Sequence, residues 1–135
     1  MEFSWVRTIH FGDTDAAGVV FFANYLRICH EAYEEALAAA GMELGRYFAA
    51  TGTIVPISKS EMSYLRPLQT GDKVSVSVKP HRLSADTFEL HFEMMRQGAA
   101  KKRAATARTE HVCLNSQTRE RQPLPASLAA WVDGI

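Results

Sequence analysis

The chain has 135 residues, 47% hydrophobic and 22% charged, a balance that excludes intrinsic disorder and fits one domain over 1–135. Fifteen Lys and Arg offset fifteen Asp and Glu, so no long-range field exists to hold a nucleic-acid backbone or an anionic membrane, although a local basic patch stays open. With no charged-then-apolar leader and no apolar run near the roughly 18 residues of a span, a cytoplasmic protein is expected, and the distant Cys29 and Cys113 read as reduced core thiols.

Phe3, Trp5, Arg7 and Ile9 alternate with Ser4, Val6, Thr8 and His10, the period of a short strand. After a break at Gly12 to Gly18 the period changes. From Asn24 to Ala40, steps of 100° place Tyr25, Leu26, Ile28, Cys29, Ala32, Tyr33, Ala36, Leu37, Ala39 and Ala40 on one arc of about half the circumference. Asn24 is available as N-cap and Gly41 as the stop. So wide an apolar face predicts a helix embraced by something curved.

The rest of the chain supplies it. Thr53 to Arg66 holds a strand that Pro56 places at an edge or at its own start. Val74, Val76 and Val78, then Phe88, Leu90, Phe92 and Met94, alternate with polar residues and read as a hairpin joined at Leu83 to Asp86. Another strand lies within Arg103 to Asn115, and a short helix over Ala126 to Val132. The class is α+β, a long helix packed on the concave side of a twisted antiparallel sheet.

Segment 11–25, FGDTDAAGVVFFANY, carries two carboxylates, a glycine and an apolar run that leads straight into the helix. A helix start offers unpaired N–H groups and a positive dipole end, which suit a developing oxyanion. Asp13 or Asp15 would stand beside the same carbonyl as base or nucleophile, with Gly18 permitting close backbone approach. The bland alternative makes both aspartates Asx-type hydrogen bonders of the turn.

The run FGDTDAAGVVFFANYLRICHEAYEEAL, residues 11–37, resembles the signature of the 4-hydroxybenzoyl-CoA thioesterase family of hotdog-fold enzymes. Tyr64-Leu65-Arg66-Pro67-Leu68, Gly71-Asp72 and Leu124-Pro125 extend the likeness over nearly the whole chain. Within the family, Asp-Thr-Asp-Ala-Ala-Gly-Val-Val and Cys29 to Glu34 look most like the 1,4-dihydroxy-2-naphthoyl-CoA thioesterase branch of phylloquinone synthesis. The resemblance implies a long central helix wrapped by a five-stranded antiparallel sheet, with hydrolysis of an aromatic acyl-CoA that needs neither metal nor cofactor. It places the catalytic carboxylate on Asp15 and the carbonyl-polarising backbone N–H on Phe22, while Asn24 and Tyr25 occupy the helix start. Many relatives have Tyr and His where this chain has Phe21 and Phe22. Whether the carboxylate attacks the thioester or activates water stays open.

At the helix position where the hydroxybenzoyl enzyme carries a carboxylic acid, His30 would bond a naphthol hydroxyl or be structural. Glu31 reads as solvated or as a subunit contact. Lys101, Lys102, Arg103 and Arg82 are candidates for the coenzyme A phosphates, against solvated turns. The resemblance also implies homodimers, commonly paired into tetramers, with sites between subunits. The residues themselves argue only for strand edges that want covering. A benzoyl or fatty thioester as substrate, and a hotdog protein that binds a thioester without cutting it, are the rivals.

Overall fold

The computed structural model describes residues 2–134. In chain order the elements are β1 (Phe3–Thr8), α1 (Phe22–Ala39), α2 (Leu44–Thr51), β2 (Thr53–Ile54), β3 (Ile57–Tyr64), β4 (Lys73–Arg82), β5 (Thr87–Arg96), β6 (Lys102–Val112), β7 (Leu114–Asn115) and α3 (Ala126–Asp133). A 3-10 turn at Phe11–Asp13 precedes α1. Five strands form one antiparallel sheet in the order β1-β4-β5-β6-β3, and β2 pairs with β7 as a separate two-stranded piece.

Period two decides which side of the sheet is dry. Val74, Val76 and Val78 of β4 and Phe88, Leu90 and Met94 of β5 are wholly buried, while their alternates Ser75, Ser77, His91 and Glu93 face outward. Against this apolar side lies α1. Tyr25, Ile28, Cys29, Ala32, Tyr33, Ala36 and Leu37 are its buried residues, drawn from the arc that the 3.6-residue period predicts. Each fully buried Ile or Leu contributes about 2 kcal/mol of hydrophobic stabilisation. Burial also pushes the Cys29 thiol up to about 12 and the His111 imidazole down to about 3, the nearby His30 adding to the latter. Neutral His111 stacks on Phe88, ring centroids 4.8 Å apart, with Nε2 2.7 Å from Thr109 Oγ1.

Three local expectations need correction. Asn24 is not the N-cap: α1 begins two residues earlier, with extended Phe21 in that place and no capping side chain. Helix α2 lay unseen between the long helix and the strands, since its eight residues are all at least partly exposed. Glu31 is only partly solvated and is not free, because it accepts from Arg7 Nε at 2.8 Å and Arg27 Nη1 at 3.4 Å.

Pro56 does both things its ring dictates, preceding β3 and leaving that strand on the sheet edge. β3 is exposed along nearly its whole length, with only Met62 partly covered. On β6 a bulge skips Ala104, since Met94 faces Ala105 but Met95 faces Arg103. The Ala104 carbonyl accepts from both Leu65 N–H (2.9 Å) and Arg66 N–H (3.0 Å), which fixes the chain leaving β3.

Candidate active site

The loop between β1 and α1 is tied both to the first turn of α1 and to the chain at Leu68 and Gln69. Phe21 N–H and Asn24 Nδ2 both donate to the Asp13 carbonyl, at 3.0 and 2.9 Å, so the loop is laced to the first turn of α1. Val20 N–H donates to Leu68 O at 2.8 Å, and Val19 bridges Gln69. Tyr25 Oη donates to Arg66 O and Tyr64 Oη to Phe22 O, each at 3.4 Å. The two stretches singled out in the sequence, 11–25 and 64–68, therefore meet at one end of the molecule.

The two aspartates have opposite surroundings. Asp13 is 3% exposed and bonded to Arg7 and Arg27, which with the His10 N–H hold its carboxyl down to about 2 against the cost of burial. It is committed to structure and cannot serve as base or nucleophile. Asp15 is exposed: its Oδ1 accepts the Ala17 N–H at 2.8 Å, and its own N–H and C=O close the turn onto Val19 and Gly18. The turn role and a chemical role are compatible there, because Oδ2 has no partner among the described residues. Gly18 sits at φ +83°, and a Cβ there would meet nothing within 4 Å, so backbone conformation rather than close approach calls for glycine.

Beside the turn, α1 begins at Phe22, whose N–H is the first of the helix and has no partner among the described residues. The Phe22 ring is largely exposed and meets Phe21 edge-on at 4.9 Å and Tyr64 at 6.5 Å; Tyr64 meets Tyr25 at 5.3 Å. Phe22, Tyr25 and Tyr64, with Val20, Leu65, Arg66 and Pro67, line a shallow cavity of about 290 Å³. Asp15 does not line it within the single chain. A larger hollow of about 580 Å³ lies on the outer face of the sheet, among Ser75, Ser77, Lys79, His91 and Glu93, away from the helix start. Of the two, the smaller cavity is the one that adjoins the start of α1 and carries an aromatic wall.

The other expected residues divide. His30 is half-exposed within α1, with Nδ1 3.3 Å from Glu34 Oε1 and its ring edge-on to Tyr33. Lys101 ends the turn between β5 and β6 and Lys102 and Arg103 begin β6, where Arg103 pairs with Glu93 at 2.8 Å and its carbonyl takes Arg66 Nη1 at 2.7 Å. They lie at the cavity's end of the sheet, with Arg66 as a further cation that spacing did not single out. Arg82 is at the opposite end of β4, nine residues from Lys73 and so about 30 Å along the strand. There it grips Asp133 through Nε (2.8 Å) and Nη2 (3.0 Å). No helix among the described residues is long and apolar enough to cross a membrane.

The family model described as Thioesterase-like superfamily matches residues 9–132. The 1,4-dihydroxy-2-naphthoyl-CoA hydrolase of Thermosynechococcus vestitus is 48% identical over 126 residues, covering 93% of this chain and 85% of that protein. The protein of the same name from Synechococcus elongatus is 44% identical over 132 residues, covering 97% and 95%. Among solved structures, a 1,4-dihydroxy-2-naphthoyl-CoA thioesterase from Synechocystis superposes with a TM-score of 0.94 at 29% identity, over 100% of this chain and 98% of that one.

Proposed function

The chain belongs to the Thioesterase-like superfamily, and from that membership we propose that it hydrolyses 1,4-dihydroxy-2-naphthoyl-CoA to the free naphthoate and coenzyme A. The observation that supports the chemistry is the lacing of the loop that carries Asp15, through the Asp13 carbonyl, to the first turn of α1, whose Phe22 N–H has no partner among the described residues.

The thioester carbonyl oxygen accepts from the Phe22 N–H, where the positive end of the helix favours the charge that develops on it. In one course Asp15 takes a proton from water as the water oxygen bonds to the carbonyl carbon; collapse breaks the C–S bond, and the sulfur leaves with that proton. In the other the carboxylate itself attacks, the thiolate leaves, and water opens the resulting anhydride. Both use the same two groups. The rings of Phe22, Tyr25 and Tyr64 supply the aromatic wall against which an aromatic acyl group packs. Lys101, Lys102 and Arg103 receive the phosphates, and His30 the naphthol hydroxyl.

A second copy completes this site. β3 is an exposed edge strand whose unpaired backbone groups invite edge-to-edge pairing, and it ends at Tyr64, in the cavity wall. Pairing there brings a partner's loop over the slot and covers Asp15. Dimers then pair into tetramers, and the assembly works in the cytoplasm.

The test is thiol release from the dihydroxynaphthoyl thioester beside benzoyl and palmitoyl thioesters. The expected result is kcat/KM at least tenfold higher for the naphthoyl compound. Equal rates on all three would refute the substrate, and tight binding without thiol release would refute hydrolysis.

A further inference from the structure

A ring of charged side chains surrounds the buried Asp13, apart from the groups that act in the reaction. A carboxylate that is 3% exposed costs free energy unless it is paired. Arg7 from β1 forks onto it, Nη1 at 2.7 Å and Nη2 at 3.2 Å, Arg27 from α1 adds Nη2 at 2.9 Å, and the His10 N–H adds a fourth bond at 2.8 Å. Glu31 closes the ring by accepting from both arginines. The same residue's carbonyl receives Phe21 N–H and Asn24 Nδ2.

One residue is thus bonded through its side chain to a strand and to the long helix, and through its backbone to that helix's first turn. Asp15 lies two residues after it, and the Phe22 amide one residue after the donor Phe21. The backbone that leads to Asp15 and the backbone that leads into the Phe22 amide are thus both tied to Asp13. Two acids and two bases also make the ring neutral, so it exerts little pull on the charge of Asp15.

We propose that Asp13, through the Arg7–Arg27–Glu31 ring, is the positioning residue that holds Asp15 and the Phe22 amide in productive separation and keeps the field on Asp15 balanced. The proposal rests on the reading of Asp15 as the carboxylate that does the chemistry. A misplacement of about 1 Å between reacting groups costs on the order of a hundredfold in rate. The charged groups facing Asp13 are Arg7 on β1 and Arg27 and Glu31 on α1, with the His10 backbone N–H from its own loop, so the electrical effect of each deletion has a defined sign.

The experiment compares steady-state hydrolysis of an aryl-CoA thioester by wild type, Asp13→Asn, Arg27→Gln, Arg27→Lys and Asp15→Asn, across pH and well below each variant's melting temperature. Asp13→Asn is expected to lose at least about tenfold in kcat with KM within about threefold of wild type. Its acid limb moves to lower pH, because the ring is left with an extra positive charge that favours ionised Asp15. Arg27→Gln removes a cation from a half-exposed position, loses kcat, and moves the limb upward; Arg27→Lys recovers part of the loss. A purely structural role would not shift the two limbs in opposite directions. If Asp13→Asn does not fold, the Arg27 pair decides. Folded variants with unchanged kcat and unchanged acid limbs, beside an inactive Asp15→Asn, overturn the positioning proposal alone. An active Asp15→Asn removes the reading beneath it as well.

Discussion

Replacing Asp13 by Asn should cost stability in a way that depends on pH, and the dependence can be worked from its surroundings. Its partners hold the carboxyl at about 2, against 3.8 ordinarily. At about 1.4 kcal/mol per pH unit, the ionised form is favoured in the folded state by roughly 2.5 kcal/mol. A depressed folded value gives stability that is fully present above the unfolded value and is lost as pH falls through the folded one. Wild type is therefore flat in this respect from pH 7 to about 5 and loses the contribution between about 4 and 2. At neutral pH Asp13→Asn loses this contribution and leaves the largely buried Arg7 undercompensated, for a total of about 3 kcal/mol. Urea unfolding of both proteins at fixed concentration from pH 7 to 2 reads the difference. The gap should be about 3 kcal/mol at pH 7 and should narrow as Asp13 is protonated in both states. A gap near zero at pH 7, or one that stays constant down to pH 2, would refute the reasoning.

Further outcomes follow from other contacts. Leu37→Ala empties a fully buried position and should cost about 3 kcal/mol, seen as a fall in Tm on the order of 10 °C with KM unchanged. Gly18→Ala should cost about 1 kcal/mol, because an L-residue is strained at φ +83°, and should lower kcat through the adjoining Asp15 turn; calorimetry and rate assays check it. Neutralising Lys101, Lys102 and Arg103 together should raise KM for the CoA thioester about tenfold and weaken its salt dependence, whereas Arg82→Gln, at the far end of β4, should leave KM unchanged. Specific activity should fall on dilution in step with the loss of dimer seen by sedimentation.

The α1 helix was legible because a 3.6-residue period survives over its 18 residues, and β4 and β5 because a buried side forces strict alternation. The edge strand β3 was blurred for the converse reason. Its residues face solvent on both sides within one chain, so nothing imposes a period. Asn24 looks like a cap from its place in the pattern, yet its amide is drawn to the Asp13 carbonyl eleven residues back, a contact that only the loop's path creates.

The division of labour between Asp13 and Asp15 was also obscure, since two like residues two apart carry no local label. One sign of it was present. Arg7 occupies an inward position in the alternation Phe3, Trp5, Arg7, Ile9, and a guanidinium turned toward a core requires a buried carboxylate. That requirement points to Asp13 as structural and leaves Asp15 for chemistry. The bulge at Ala104, which aims Leu65 and Arg66 at the cavity, leaves no comparable trace in the residue types.

The most direct measurement is thiol release from 1,4-dihydroxy-2-naphthoyl-CoA by Asp15→Asn beside wild type, with Tm and CoA affinity recorded on the same preparations. The account predicts an unchanged Tm, an unchanged affinity and a kcat lower by at least about a hundredfold. Turnover within a few-fold of wild type would contradict it.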